Sequence, residues 1–83
     1  VWRIEWSHEA LRELYKLEKV IAERIVKKLD QAAKNPARFF ERLVGEDDYK
    51  LRITDYRVRA ELNFQRETVY ILKVGHRKNI YKK

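Results

Sequence analysis

The apolar residues of this chain repeat at every second position, then at every third or fourth, then at every second again, and that order fixes the elements it can form. Trp2, Ile4 and Trp6 alternate with Arg3 and Glu5, the pattern of a strand with one buried face. Ser7 stands where a helix N-cap would accept an orphan amide, and Leu11, Leu14, Tyr15 and Leu17 follow at helical spacing. A second helical stripe runs through Ile21, Ile25, Leu29 and Ala33, widened by Ala22, Val26 and Ala32. Asn35-Pro36 stops it, because proline has no N–H to give the preceding turn. The turn between two antiparallel helices falls around Leu17, Glu18 and Lys19; no glycine marks it, so one bent helix is the alternative. Residues 37–48 mix Phe39, Phe40, Leu43 and Val44 with charges and Gly45, and read as a connection held down by its aromatics. Tyr49, Leu51 and Ile53 then alternate with Lys50 and Arg52. Tyr56, Val58, Ala60, Leu62 and Phe64 alternate with Arg57, Arg59, Glu61 and Asn63, and residues 69–74 form a largely apolar run. Thr54-Asp55 and Gln65-Arg66-Glu67 are short enough to be hairpin turns, which predicts an antiparallel meander. Neither turn has the Asn-Gly chemistry that would pin its register.

A chain of 83 residues needs most of its length for one hydrophobic core, so residues 1–83 are expected to form a single domain. Apolar residues at 45% supply that core and argue against a disordered chain. With 20 Lys and Arg against 13 Asp and Glu, the net charge of +7 makes a phosphate-bearing polymer the leading partner class. There is no cysteine, and His8 and His76 are far apart in sequence, so neither a disulfide nor a metal-ligand cluster is expected, and no cofactor is implied. No apolar run approaches the roughly 20 residues that cross a bilayer, and the expectation is a soluble, cytoplasmic protein with no membrane partner.

Alternation also sorts the charges. Turning Leu51, Ile53, Val58 and Leu62 toward the helices puts Lys50, Arg52, Arg57 and Arg59 together on the opposite face. Lys73 joins from the last strand, and His76, Arg77, Lys78 and Tyr81 follow just beyond it. Each Lys or Arg alone reads most simply as a solvated outer-face residue. Like charges clustered without nearby acids repel one another, and a polyanion relieves that repulsion.

In this order the pieces Tyr49-Lys50-Leu51-Arg52-Ile53, Asp55-Tyr56-Arg57-Val58 and Val74-Gly75-His76-Arg77-Lys78, closing on Ile80-Tyr81, resemble the RelE/ParE toxin superfamily from end to end. The resemblance implies an α+β fold: a small twisted antiparallel sheet with two N-terminal helices packed on one face and the other face open as a groove. It implies further that the chain is the toxin of a RelBE-type toxin–antitoxin system. Such a toxin is a ribosome-dependent mRNA endonuclease acting in the decoding site without metal, and a cognate acidic RelB-like antitoxin silences it. Carried over residue by residue, Lys50 falls where the family has a lysine proposed as general base. Arg57 and Arg77 match arginines that grip the scissile phosphate, and Tyr81 matches a tyrosine that stacks on or orients the substrate base. Arg52 stands where a lysine is frequent, and an arginine cannot take up a proton, so its part is to hold phosphate. Arg59, Lys73, His76 and Lys78 complete the expected substrate-binding set.

The chemistry that suits this set is attack of the 2′-hydroxyl on the adjacent phosphorus with departure of the 5′-oxygen. It needs a base, cations for the growing phosphorane charge and a proton for the leaving group. His76 competes with Lys50 for the base, since histidine titrates near neutrality, although a lone histidine beside a glycine reads equally as structural. Tyr81 has a plain reading as a packing aromatic. Two other functions stay open. One is a ParE-like gyrase poison without chemistry, against which Lys50, Arg77 and Tyr81 argue; the other is a basic RNA- or protein-binding module without turnover.

Overall fold

A computed structural model describes residues 1–45 and 47–80. β1 (Arg3–Trp6) leads into α1 (His8–Tyr15) and α2 (Lys19–Ala32), then a short α3 (Pro36–Phe39), β2 (Glu41–Arg42), β3 (Tyr49–Ile53), β4 (Tyr56–Asn63) and β5 (Thr68–His76). The strands form one five-stranded sheet in the order β1-β5-β4-β3-β2. Among the described residues no helix is long and apolar enough to cross a membrane.

Ser7 works at three levels where β1 becomes α1. Its N–H extends the ladder to Ile71 O at 2.9 Å, its Oγ accepts from Ala10 N at 3.0 Å as a helix N-cap, and the same hydroxyl donates to Leu72 O at 3.2 Å. The helices are separate, because the chain closes α1 with bonds from Lys16 N to Glu13 O and from Leu17 N to Leu14 O before Glu18 opens α2. Leu14, Ile25, Leu29 and Ala32 face the sheet, whereas Tyr15 and Val26, part of the apolar stripes in sequence, are exposed. Pro36 occupies the first turn of α3, where its missing N–H costs nothing.

The core is a single cluster of helix residues and the inner face of the sheet, centred on Ile25, Leu29, Val58, Val69 and Ile71, with Trp2, Ile4 and Trp6 packed against it. Ile25 and Ile71 have no exposed surface, and truncating either to alanine is worth about 2–5 kcal/mol.

Two features depart from the expected sheet. β1 pairs parallel to β5, with Ile4 beside Val69 and Trp6 beside Ile71, so the sheet is mixed where an antiparallel one was expected. Alternation in residues 2–6 reports one buried face and carries no information about strand direction. Second, the connection over residues 37–48 contains α3 and the two-residue β2, whose Glu41 and Arg42 pair with Lys50 and Tyr49. A strand of two charged residues has no period to read.

β5 also carries an irregularity that explains its continuous apolar run. Arg59 pairs with Lys73 and Ala60 with Ile71, which leaves Leu72 as an extra residue. Side chains before the bulge face the core at Val69 and Ile71, and after it at Val74. The insertion shifts the alternation by one.

Candidate functional site

The β3–β4–β5 register assembles the basic residues in rows on the face away from the helices. Lys50, Arg59 and Lys73 are cross-strand partners in one row, and Arg52, Arg57 and Gly75 in the next. Facing residues of paired strands share a side of the sheet, so the separation expected from sequence holds: Leu51, Val58 and Val74 form the intervening row on the core side. Gly75 contributes no side chain opposite Arg57, and Ile80, from beyond the strand, lies over it.

The two arginines expected at a phosphate are organised by one turn. Ile53 and Tyr56 close a two-residue β3–β4 hairpin in which Thr54 has φ of 54°. A β-branched residue in the left-handed region costs about 1–3 kcal/mol, and glycine or asparagine would avoid much of it. The Thr54 hydroxyl donates to Ile53 O at 2.6 Å, and Arg57 Nη1 donates to Thr54 O and Tyr56 O, each at 2.8 Å. Arg57 is thus 8% exposed yet anchored. Its Nε and Nη2 have no partner among the described residues. Among the described residues no side-chain nitrogen or oxygen is both buried and unpartnered. Arg77 meets the same turn: its N–H donates to Asp55 O at 2.8 Å, and its Nε lies 3.9 Å from Asp55 Oδ1.

Acids stand closer to the cations than the sequence suggested. Arg59 donates to Asp48 Oδ2 through Nε at 2.8 Å, and its Nη2 forms an ion pair with the same oxygen at 2.6 Å, with both side chains mostly buried. Lys73 lies 3.3 Å from Glu9 and 3.9 Å from Glu13 on α1, while Glu13 also accepts the Val74 N–H at 2.8 Å, where β1 has ended and left the β5 edge without a strand. Glu41 is the cross-strand partner of Lys50 on its other side. The expected cluster without nearby acids is therefore corrected. Among the described residues, Lys50, Arg52 and Arg57 have no ion-pair partner within 4.0 Å, whereas Arg59 and Arg77 have one each and Lys73 has two.

His76 parts company with this group. The Leu72 bulge puts it in the row of Ile53 and Tyr56, on the side opposite Lys50, with its ring edge-on to Tyr56 at 5.4 Å and its Nδ1 accepting from Lys78 N at 3.2 Å. Lys78 is exposed in the turn after β5, and Tyr81 lies outside the described residues. Arg52, at the uncovered edge of β3, shares a shallow hollow with Arg24, Lys27 and Lys28 of α2. Those helix cations were missed in sequence, although their spacing of three and four residues already places them on one face. Among the described residues no three His, Cys, Asp or Glu side chains converge on a point.

Over residues 4–81 the chain matches the sequence model of a family described as the ParE toxin of the type II toxin–antitoxin system, parDE. The chain belongs to the RelE/ParE toxin superfamily. Solved RelE structures share the fold of this toxin. The RelBE2 toxin–antitoxin complex of Mycobacterium tuberculosis contains a chain that is 26% identical with a TM-score of 0.85, covering 90% of this chain and 96% of that one. The intact RelBE complex of E. coli gives 27% identity and a TM-score of 0.77, covering 92% and 96%. The archaeal RelE–RelB complex of Pyrococcus horikoshii gives 25% and 0.76, covering 94% and 97%. No curated protein sequence matches the chain. The helix pair on one face of a twisted sheet is the architecture expected for the superfamily, with the sheet mixed. Its helix-free face carries the rows of Lys50 and Arg57.

Proposed function

We propose that this toxin is a ribosome-dependent mRNA endonuclease whose catalytic face is the helix-free side of the sheet. Arg57 of β4 and Arg77, just past the end of β5, meet at one turn next to Arg52 in the ladder and carry this reading. Two arginines whose backbones one turn brings together suit the charge that accumulates on a phosphorane, and arginine's fork of donors matches its oxygens.

In the proposed reaction the base takes the 2′-hydroxyl proton, the O2′–P bond forms, the P–O5′ bond breaks and O5′ leaves with a proton. The products are a 2′,3′-cyclic phosphate and a 5′-hydroxyl. Lys50 is the base in the primary assignment. Glu41 is the alternative, because its register with Lys50 puts a carboxylate, an acceptor without prior deprotonation, at the same row; Lys50 would then supply the leaving-group proton. Arg52 guides the RNA backbone, with Lys73 and Lys78 at the margins. Tyr81 orients the base, and His76, on the other side of β5, is demoted to a supporting position. The single domain acts in the cytoplasm and is held inactive by a RelB-like antitoxin of acidic character. In the solved complexes from M. tuberculosis, E. coli and P. horikoshii, the similar chain is accompanied by its antitoxin.

The family match favours one other reading, a ParE-like toxin that binds gyrase and cuts nothing. Incubation with programmed ribosomes and, separately, with gyrase decides between them. Cleaved mRNA, slowed at least about tenfold in Arg57→Ala and Arg77→Ala, supports the nuclease. Intact mRNA with blocked supercoiling supports the gyrase poison.

A further inference from the structure

Arg77 lies one residue past the end of β5, where no strand holds it. Its side chain is 56% exposed, and the ladder row next to it carries two further cations, Arg57 and Arg52. Among the described residues, two contacts hold Arg77, and both come from Asp55. The Asp55 carbonyl accepts the Arg77 N–H at 2.8 Å and so continues the ladder by one bond past the strand. The Asp55 carboxylate stands 3.9 Å from Arg77 Nε. The neighbouring residue of the same turn, Thr54, fixes Arg57 through its carbonyl. One two-residue turn therefore sets the position of both arginines.

We propose that Asp55 is a positioning residue that holds the Arg77 guanidinium beside Arg57 before a phosphodiester arrives. This rests on the nuclease reading and names a part of its machinery. The carboxylate approaches Arg77 through Nε at a loose 3.9 Å, and a guanidinium with five N–H donors keeps others for phosphate oxygens. A side chain with four rotatable bonds then meets the transition state already oriented, so the ordering cost is met on folding. Because both groups of the pair are more than half exposed, the contact contributes little to stability. A purely structural role would thus be almost silent, and a positioning role shows in turnover.

The test is a double-mutant cycle on the full chain with programmed ribosomes: wild type, Asp55→Asn, Arg77→Ala and the double variant, with kcat, KM and Tm for each. Asp55→Asn is expected to lower kcat about tenfold with KM within about twofold and Tm unchanged. The double variant is expected to be no slower than Arg77→Ala alone, because a residue that acts through Arg77 has nothing left to position. Unchanged kcat in Asp55→Asn, a gain in kcat/KM, or full additivity with Arg77→Ala would each overturn the proposal. A gain would mean that the carboxylate competes with phosphate. Should Arg77→Ala itself cleave normally, the phosphate clamp fails, and that result is distinct from a failure confined to Asp55.

Discussion

Replacing Asp48 with alanine should remove a large part of this protein's stability, although the residue sits beside a loop. Its carboxylate is 12% exposed and receives a hydrogen bond from Arg59 Nε, with Nη2 of the same guanidinium 2.6 Å away; the Arg59 side chain is 21% exposed and stands between Lys50 and Lys73 in the ladder. Without the carboxylate, a mostly buried guanidinium is left unpaired in a row of three cations. Breaking such a pair from one side costs about 3 kcal/mol, well above the fraction of a kcal/mol typical of exposed pairs such as Arg3–Glu5. For a domain of this size that corresponds to a fall in Tm of roughly 15 °C and to a substantial share of a total stability of about 5–15 kcal/mol. Thermal and urea unfolding of Asp48→Ala, Arg59→Ala and the double variant measure it. The double variant should cost less than the sum of the single ones, since removing both partners leaves no stranded charge. A loss below about 1 kcal/mol in Asp48→Ala, or strict additivity, would refute the pairing as a stabilising contact.

The base assignment is tested by two substitutions in one row of the sheet. Lys50→Arg keeps the charge and removes a usable acceptor, so cleavage should fall by about a hundredfold while ribosome binding persists, as a single-turnover assay with a sedimentation control will read. Glu41→Gln should then stay within about twofold of wild type; a hundredfold loss there instead would transfer the base to Glu41. The toxin purified with its antitoxin should leave ribosome-bound mRNA intact and regain cleavage once the partner is removed under denaturing conditions and the chain refolded, with circular dichroism as the check on folding. Refolded, native protein without cleavage would count against an inhibited nuclease.

Much of this surface was legible in the sequence because a strand's alternation is a two-valued signal. Once Leu51, Ile53 and Val58 are assigned inward, Lys50, Arg52 and Arg57 have only one other face, and the register places them there. The same logic failed at one inserted residue: Leu72 shifts the alternation, so His76 lands away from the cations it adjoins in sequence. Strand direction is likewise silent in a period, and β1 turned out parallel. The acids Asp48 and Asp55 escaped notice because each sits at a strand end or in a turn, where no periodic pattern says which way it points. Their partners Arg59 and Arg77 are 11 and 22 residues away. The family resemblance supplied roles for Lys50, Arg57 and Arg77, but the left-handed Thr54 that organises Arg57 is visible only in the backbone.

Cleavage by the 2′-hydroxyl is tested most directly by removing that group. The cut position is first mapped by primer extension on an all-ribose mRNA in programmed ribosomes, and a second mRNA carries one 2′-deoxynucleotide on the 5′ side of that bond. Wild-type toxin should cut the first, leaving a 5′-hydroxyl on the downstream fragment, and leave the same bond intact in the second. Equal cutting of both, or no cutting of either by natively folded toxin, would contradict an mRNA endonuclease built on the Lys50, Arg57 and Arg77 face.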